Sequence, residues 1–109
     1  MTIMRDASGQ AVIALNENDP VWEHRPSVDV FFNSVARDFG SKTIAVLLTG
    51  MGKDGAAGIE RIKAAGGHTV AQDEPSCIIF GMPKVAIETG AVDDVVGIDR
   101  MAGHILGLL

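Results

Sequence analysis

Apolar positions along the chain fall into two patterns. Ile44 to Leu48 (IAVLL) is a continuous, β-branched run without the alternation of a strand that has one wet face, which predicts a strand inside a parallel sheet covered on both sides. Val28, Phe31, Phe32 and Val35 instead recur at helical spacing, after Pro26 and a capping Ser27 and before Gly40, which offers a stop. In AAGIERIKAAGG, Ile59 and Ile62 point inward, Glu60 and Lys63 outward, and Gly66-Gly67 ends the helix. Gln10 to Leu15 and His68 to Gln72 read as short strands, and Val92 to Ile98 as a short edge strand. Pro83 suits the first turn of a helix running through KVAIETG. Asp99 can cap a last helix that reaches Leu109. The order from Val28 is helix, strand, helix, strand, helix, strand, helix. That alternation predicts an α/β fold, a doubly wound, mostly parallel sheet with helices on both faces, formed by residues 1–109 as a single unit.

Composition narrows the class. A chain of 109 residues with 47% apolar residues is the size of one domain and can bury a modest core. Its net charge of -5, with no run of Lys or Arg, argues against a nucleic-acid surface or a polybasic membrane patch. No apolar stretch has the length of a membrane span, Met1 to Gln10 lacks the pattern of a signal peptide, and the single Cys77 has no disulfide partner. A cytoplasmic protein is the expectation.

The candidate chemistry lies in the turn after the central run, Thr49 to Gly55 (TGMGKDG), because the carboxyl ends of strands in open α/β sheets are where ligands and reacting groups collect. Gly50-Met51-Gly52-Lys53-Asp54-Gly55 spells GxGxxG, the pattern of a dinucleotide site. A pyrophosphate on that helix end would meet the carboxylate of Asp54, and the like charges repel. Alternatively Asp54, at the first turn of a helix, suits an acid that orients and stabilises a histidinium. Such a relay needs a nucleophile and a histidine. Ser8, Ser27, Ser34, Ser41 and Ser76 form no nucleophile elbow; Ser27 reads as a cap, Ser34 as a helix-surface residue, and Cys77 as a structural thiol. His68 belongs at the start of its strand, opposite Asp54, and His104 in the final helix, both as satisfied or solvent-facing side chains. His24 precedes a helix in WEHRPS. The pairs Asp73-Glu74 and Asp93-Asp94 lack the spacing of a metal site and read as solvated charges.

Three segments in succession, HRPSVDVFFNSVA, VLLTGMGKDGAAGI and AQDEPSCIIFGMPKVAI, resemble the C-terminal part of the catalytic domain of the chemotaxis protein-glutamate methylesterases, the CheB family. The resemblance spans roughly Pro20 to Val96. It implies a serine hydrolase that releases methanol from glutamate methyl esters on the cytoplasmic domains of chemoreceptors, often deamidating glutamines as well, and needing no cofactor or metal. Within TGMGxDG it places the triad aspartate on Asp54, and on Met51 a residue lining the oxyanion region through its backbone N–H. It also implies that the family's serine and histidine, and its receiver domain, lie upstream of anything corresponding to Met1. The chain is then expected to be inactive alone and, as part of a sheet, to self-associate. A noncatalytic receptor-binding module and a small dinucleotide-binding domain are the alternatives. Substrate contact and loop structure stay equally open for His24 and Arg25.

Overall fold

A computed structural model describes the strands Thr2–Arg5 and Ala11–Ala14 and residues 28–109. The cap expected at Ser27 lies outside the described residues, as do Ser8, His24 and Arg25. Thr2–Arg5 (β1) and Ala11–Ala14 (β2) pair antiparallel, Ile3 opposite Ile13 and Met4 opposite Val12. β2 matches the strand expected from Gln10 to Leu15; β1 is an addition. Four residues ending in Arg5 carry too little periodicity to announce a strand, which exists here through its pairing.

Val28–Asp38 forms α1, followed by a short 3-10 turn that Gly40 opens at φ +46°. Ile44–Leu47 (β3), Ala56–Ala64 (α2), His68–Gln72 (β4), Met82–Glu88 (α3), Asp94–Val96 (β5) and Ile98–Leu108 (α4) then alternate. The three strands run parallel in the order β3-β4-β5, with Val46 beside Val70 and Ala71 beside Val95. α2 ends where the glycine pair demands it. Gly66 takes φ +93°, its N–H donates to the Lys63 carbonyl at 3.0 Å, and the Gly67 N–H donates to the Ile62 carbonyl at 2.9 Å, a Schellman closure. α4 begins at Ile98, so Asp99 stands inside its first turn instead of capping it.

Each face of the sheet has its own core. Ala45 and Leu47 of β3 join Phe32 of α1, Ala56, Ile59 and Ile62 of α2 and Ala86 of α3. On the other face Val70 and Val96 pack with Met101 of α4, and Ile44, Val46, Ile105 and Leu108 border them. Ile59 and Ile62 are 0% exposed, so the inward stripe of α2 is fully covered. The apolar run of β3 predicts an interior strand. Among the described residues β3 is instead an edge, paired with β4 alone, and β4 is the centre with Thr69 to Gln72 all buried. The reason is that a continuous apolar run reports covered faces, whereas pairing of an edge depends on backbone groups that leave no mark on side-chain pattern.

Candidate active site

The turn after β3 and the start of α1 are joined by two buried carboxylates that exchange partners. Asp54, 4% exposed, accepts the N–H of Val28 on Oδ2 at 2.8 Å and that of Asp29 on Oδ1 at 2.9 Å. Asp29, 3% exposed, accepts the N–H groups of Gly55 and Gly58 on Oδ1 at 2.9 and 2.8 Å. Each aspartate therefore satisfies donors that the start of a helix leaves without an intrahelical partner, and does so for the other's helix. Sequence reading puts Asp54 on the first turn of α2 with that helix's own N–H groups. In the structure it stands just before the N-cap Gly55, which is at φ +99°, and serves α1 instead. The two helices also pack closely here: a Cβ on Gly58 would lie 2.5 Å from the Cβ of Phe32, so α1 and α2 meet at a contact only glycine permits.

The dinucleotide pattern meets a second obstacle. The N–H groups at the amino end of α2, where a pyrophosphate would rest, are engaged by the carboxylate of Asp29, so the like-charge objection holds with Asp29 as the occupying group.

Met51 lies on the tip of the loop with its residue 74% exposed, and its N–H has no acceptor among the described residues. The loop beneath it is fixed. Gly50 donates its N–H to the Ile79 carbonyl at 3.1 Å, while its carbonyl accepts from Gly81 and Met82 at 3.1 and 2.8 Å. A Cβ on Gly81 would come within 2.6 Å of that carbonyl, so the two loops touch backbone to backbone. The Thr49 N–H donates to Oε1 of the buried Gln72 at 2.8 Å, and Gln72 Nε2 donates to the Ser76 carbonyl at 2.8 Å. Gln72 thus ties the loop after β3 to the loop after β4. The apolar letters of Ile78 and Ile79 form no strand; both are exposed, Ile78 at 91%, and Ile79 bonds Thr49 and Gly50 of the loop that carries Met51.

The remaining candidates fall away from this crevice or are engaged structurally. Ser34 is buried, not on the helix surface, and donates to the Phe31 carbonyl at 2.7 Å. Ser76 Oγ donates to Asp73 Oδ1 at 2.6 Å and accepts the Ile98 N–H at 3.1 Å. Cys77 is half-buried, and burial pushes its thiol above the ordinary range, as suits a structural residue. At the opposite end of the sheet the histidines and the aspartate pair come together. Asp94 Oδ2 is 2.6 Å from His68 Nε2 and 2.8 Å from His104 Nε2. These contacts hold the Asp94 carboxyl below the usual carboxylate range. Asp93 is lowered chiefly by its bond to Lys63, and it also accepts the Thr69 N–H at 2.9 Å. Neither aspartate is a merely solvated charge, and Asp94 with the two histidines does make a ligand cluster. It escapes sequence reading because its members come from β4, β5 and α4, with no local spacing to reveal them.

Residues 1–105 match the family model described as CheB methylesterase. A protein named protein-glutamate methylesterase/protein-glutamine glutaminase 2 from Burkholderia thailandensis is 55% identical over 86% of this chain and 27% of its own length. One from Anaeromyxobacter dehalogenans, numbered 4 under the same name, is 50% identical over 97% of this chain and 30% of its own length. The chain therefore spans less than a third of these relatives. The crystal structure of the Thermotoga maritima CheB methylesterase catalytic domain superposes with a TM-score of 0.92 at 38% identity, covering 99% of this chain and 58% of that one.

Proposed function

The chain belongs to the CheB methylesterase family, and from that membership we propose that residues 1–109 are a single unit, the aspartate-bearing C-terminal portion of a serine-type protein-glutamate methylesterase catalytic domain. The parent enzyme adds water to a glutamate methyl ester of a chemoreceptor's cytoplasmic domain, leaving a glutamate and releasing methanol, and deamidates glutamines by the same acyl chemistry. It works in the cytoplasm; no helix among the described residues is long and apolar enough to cross a membrane.

The observation that carries the reading is Asp54, a buried carboxylate at the carboxyl end of β3, held in place by two backbone N–H groups of another helix. A triad acid must be rigid, because its task is to fix one tautomer and orientation of an imidazole and to stabilise the imidazolium once it forms. A carboxylate offers about four acceptor directions, so an aspartate can anchor itself to α1 and still receive an imidazole N–H. Met51 extends its N–H from a loop pinned by Gly50 and Gly81, in keeping with a donor aimed at a tetrahedral oxyanion. We assign the serine nucleophile and the histidine base to no residue of this chain, so it has no triad turnover by itself. A methanol-release assay on methylated receptor tests this. The expected result is release no faster than with Asp54→Ala; turnover that Asp54→Ala abolishes contradicts the assignment.

A receptor-binding module without hydrolysis is the second reading, favoured by the exposed apolar side chains of Met51, Ile78 and Ile79 around the same loop. Binding of the chain alone to receptor, with no methanol released in its presence or in that of a longer form, supports it.

A further inference from the structure

We propose that His68, Asp94 and His104 form a binding site for a first-row divalent transition-metal ion of the zinc class, joining β4, β5 and α4 at the amino-terminal edge of the sheet. Two imidazoles and a carboxylate are the donor set that such ions select, with water completing the coordination. The three ligand atoms lie within 4.8 Å of one another, and both rings direct Nε2 at the same oxygen, Asp94 Oδ2. In a tetrahedral zinc site, with bonds of about 2.0–2.1 Å, neighbouring ligand atoms stand about 3.3 Å apart. Asp94 Oδ2, now at 2.6 and 2.8 Å from the two nitrogens, reaches that spacing by a retreat of well under 1 Å. All three side chains are about one-third exposed, which leaves a path for the ion and room for a water ligand.

A second observation points the same way. His68 Nδ1 faces Asp93 Oδ2 at 3.7 Å. Asp93 is itself held by Lys63 and by the Thr69 N–H. Once a metal displaces the Nε2 proton, the proton on Nδ1 faces this carboxylate, the kind of outer partner that a metal-bound imidazole commonly has. Asp93, Asp94 and Asp99 also outnumber Arg100 around the open cavity next to His104, a field that draws in cations. His68 begins β4 and Gln72 ends it, so about 13 Å of strand separates this site from the residue that anchors the Asp54 loop. The metal is structural, clipping α4 to the sheet.

The test is a cobalt(II) titration of the untagged, chelator-stripped chain, followed by visible absorption, with zinc competition and thermal melting. One equivalent should bind saturably, be displaced by zinc and raise the melting midpoint. His68→Gln and His104→Gln should each weaken binding at least about tenfold, and Cys77→Ser should leave it unchanged. Absence of saturable binding, a smaller loss in either histidine variant, or loss in Cys77→Ser overturns the proposal. Should a glutamine variant fail to fold by circular dichroism, Asp94→Asn replaces it under the same tenfold criterion.

Discussion

Asp54 and Asp29 each occupy the helix end of the other, and that exchange sets what single substitutions do. Asp54→Ala leaves the N–H groups of Val28 and Asp29 without their acceptor in a buried setting, a loss of about 1–3 kcal/mol. Asp29→Ala removes the acceptor of Gly55 and Gly58 and should cost a similar amount, although the family motif gives Asp29 no catalytic part. Chemical denaturation of both variants checks this; wild-type stability in either contradicts the exchange. For Cys77, a thiol pushed up by burial holds less thiolate at neutral pH than a free cysteine. Its alkylation should be slower than that of free cysteine at pH 7 and gain its main increase above the ordinary thiol pKa; a midpoint at or below that of free cysteine contradicts the direction. Asp54 was legible in the sequence because one short motif places it on a turn after a strand. Its partner was not. The bonds from Asp54 to Val28 and Asp29 cross some 25 positions of chain and leave no local signature.

The helix–strand alternation from Val28 onward was readable because each element carries its own period and its own stop. Ile59 and Ile62 on α2 and Gly66-Gly67 after it are the clearest case, since stripe and closure are both local. Contacts between elements were not readable, and Gly58 shows why. Nothing in GIERI says that this glycine faces Phe32, yet Gly58→Ala would drive a methyl to 2.5 Å from the Phe32 Cβ and 3.2 Å from Asp29 Oδ1. It should destabilise the chain by about 1–3 kcal/mol, despite the better helix propensity of alanine. A melting midpoint equal to or above that of the wild type contradicts close α1–α2 packing. Likewise, His68, Asp94 and His104 meet only once β4, β5 and α4 are assembled.

At the scale of the molecule, β3 offers an edge with no strand beyond it among the described residues, while Met51, Ile78 and Leu109 are exposed apolar side chains. Unpaired edges and apolar surface favour association. Sedimentation velocity should therefore give a concentration-dependent coefficient for the isolated chain, and a single monomer boundary across concentrations contradicts this. The central claim, that Asp54 is the acid of a methylesterase triad, is tested most directly by grafting residues 1–109 in place of their counterpart in the Thermotoga maritima catalytic domain. Methanol release from methylated receptor is then measured with and without Asp54→Asn. The graft should be active, and its turnover should fall by about 10⁴-fold in the variant, the scale expected when a triad imidazole loses its acid. A folded Asp54→Asn graft that keeps its turnover within about tenfold would contradict the claim.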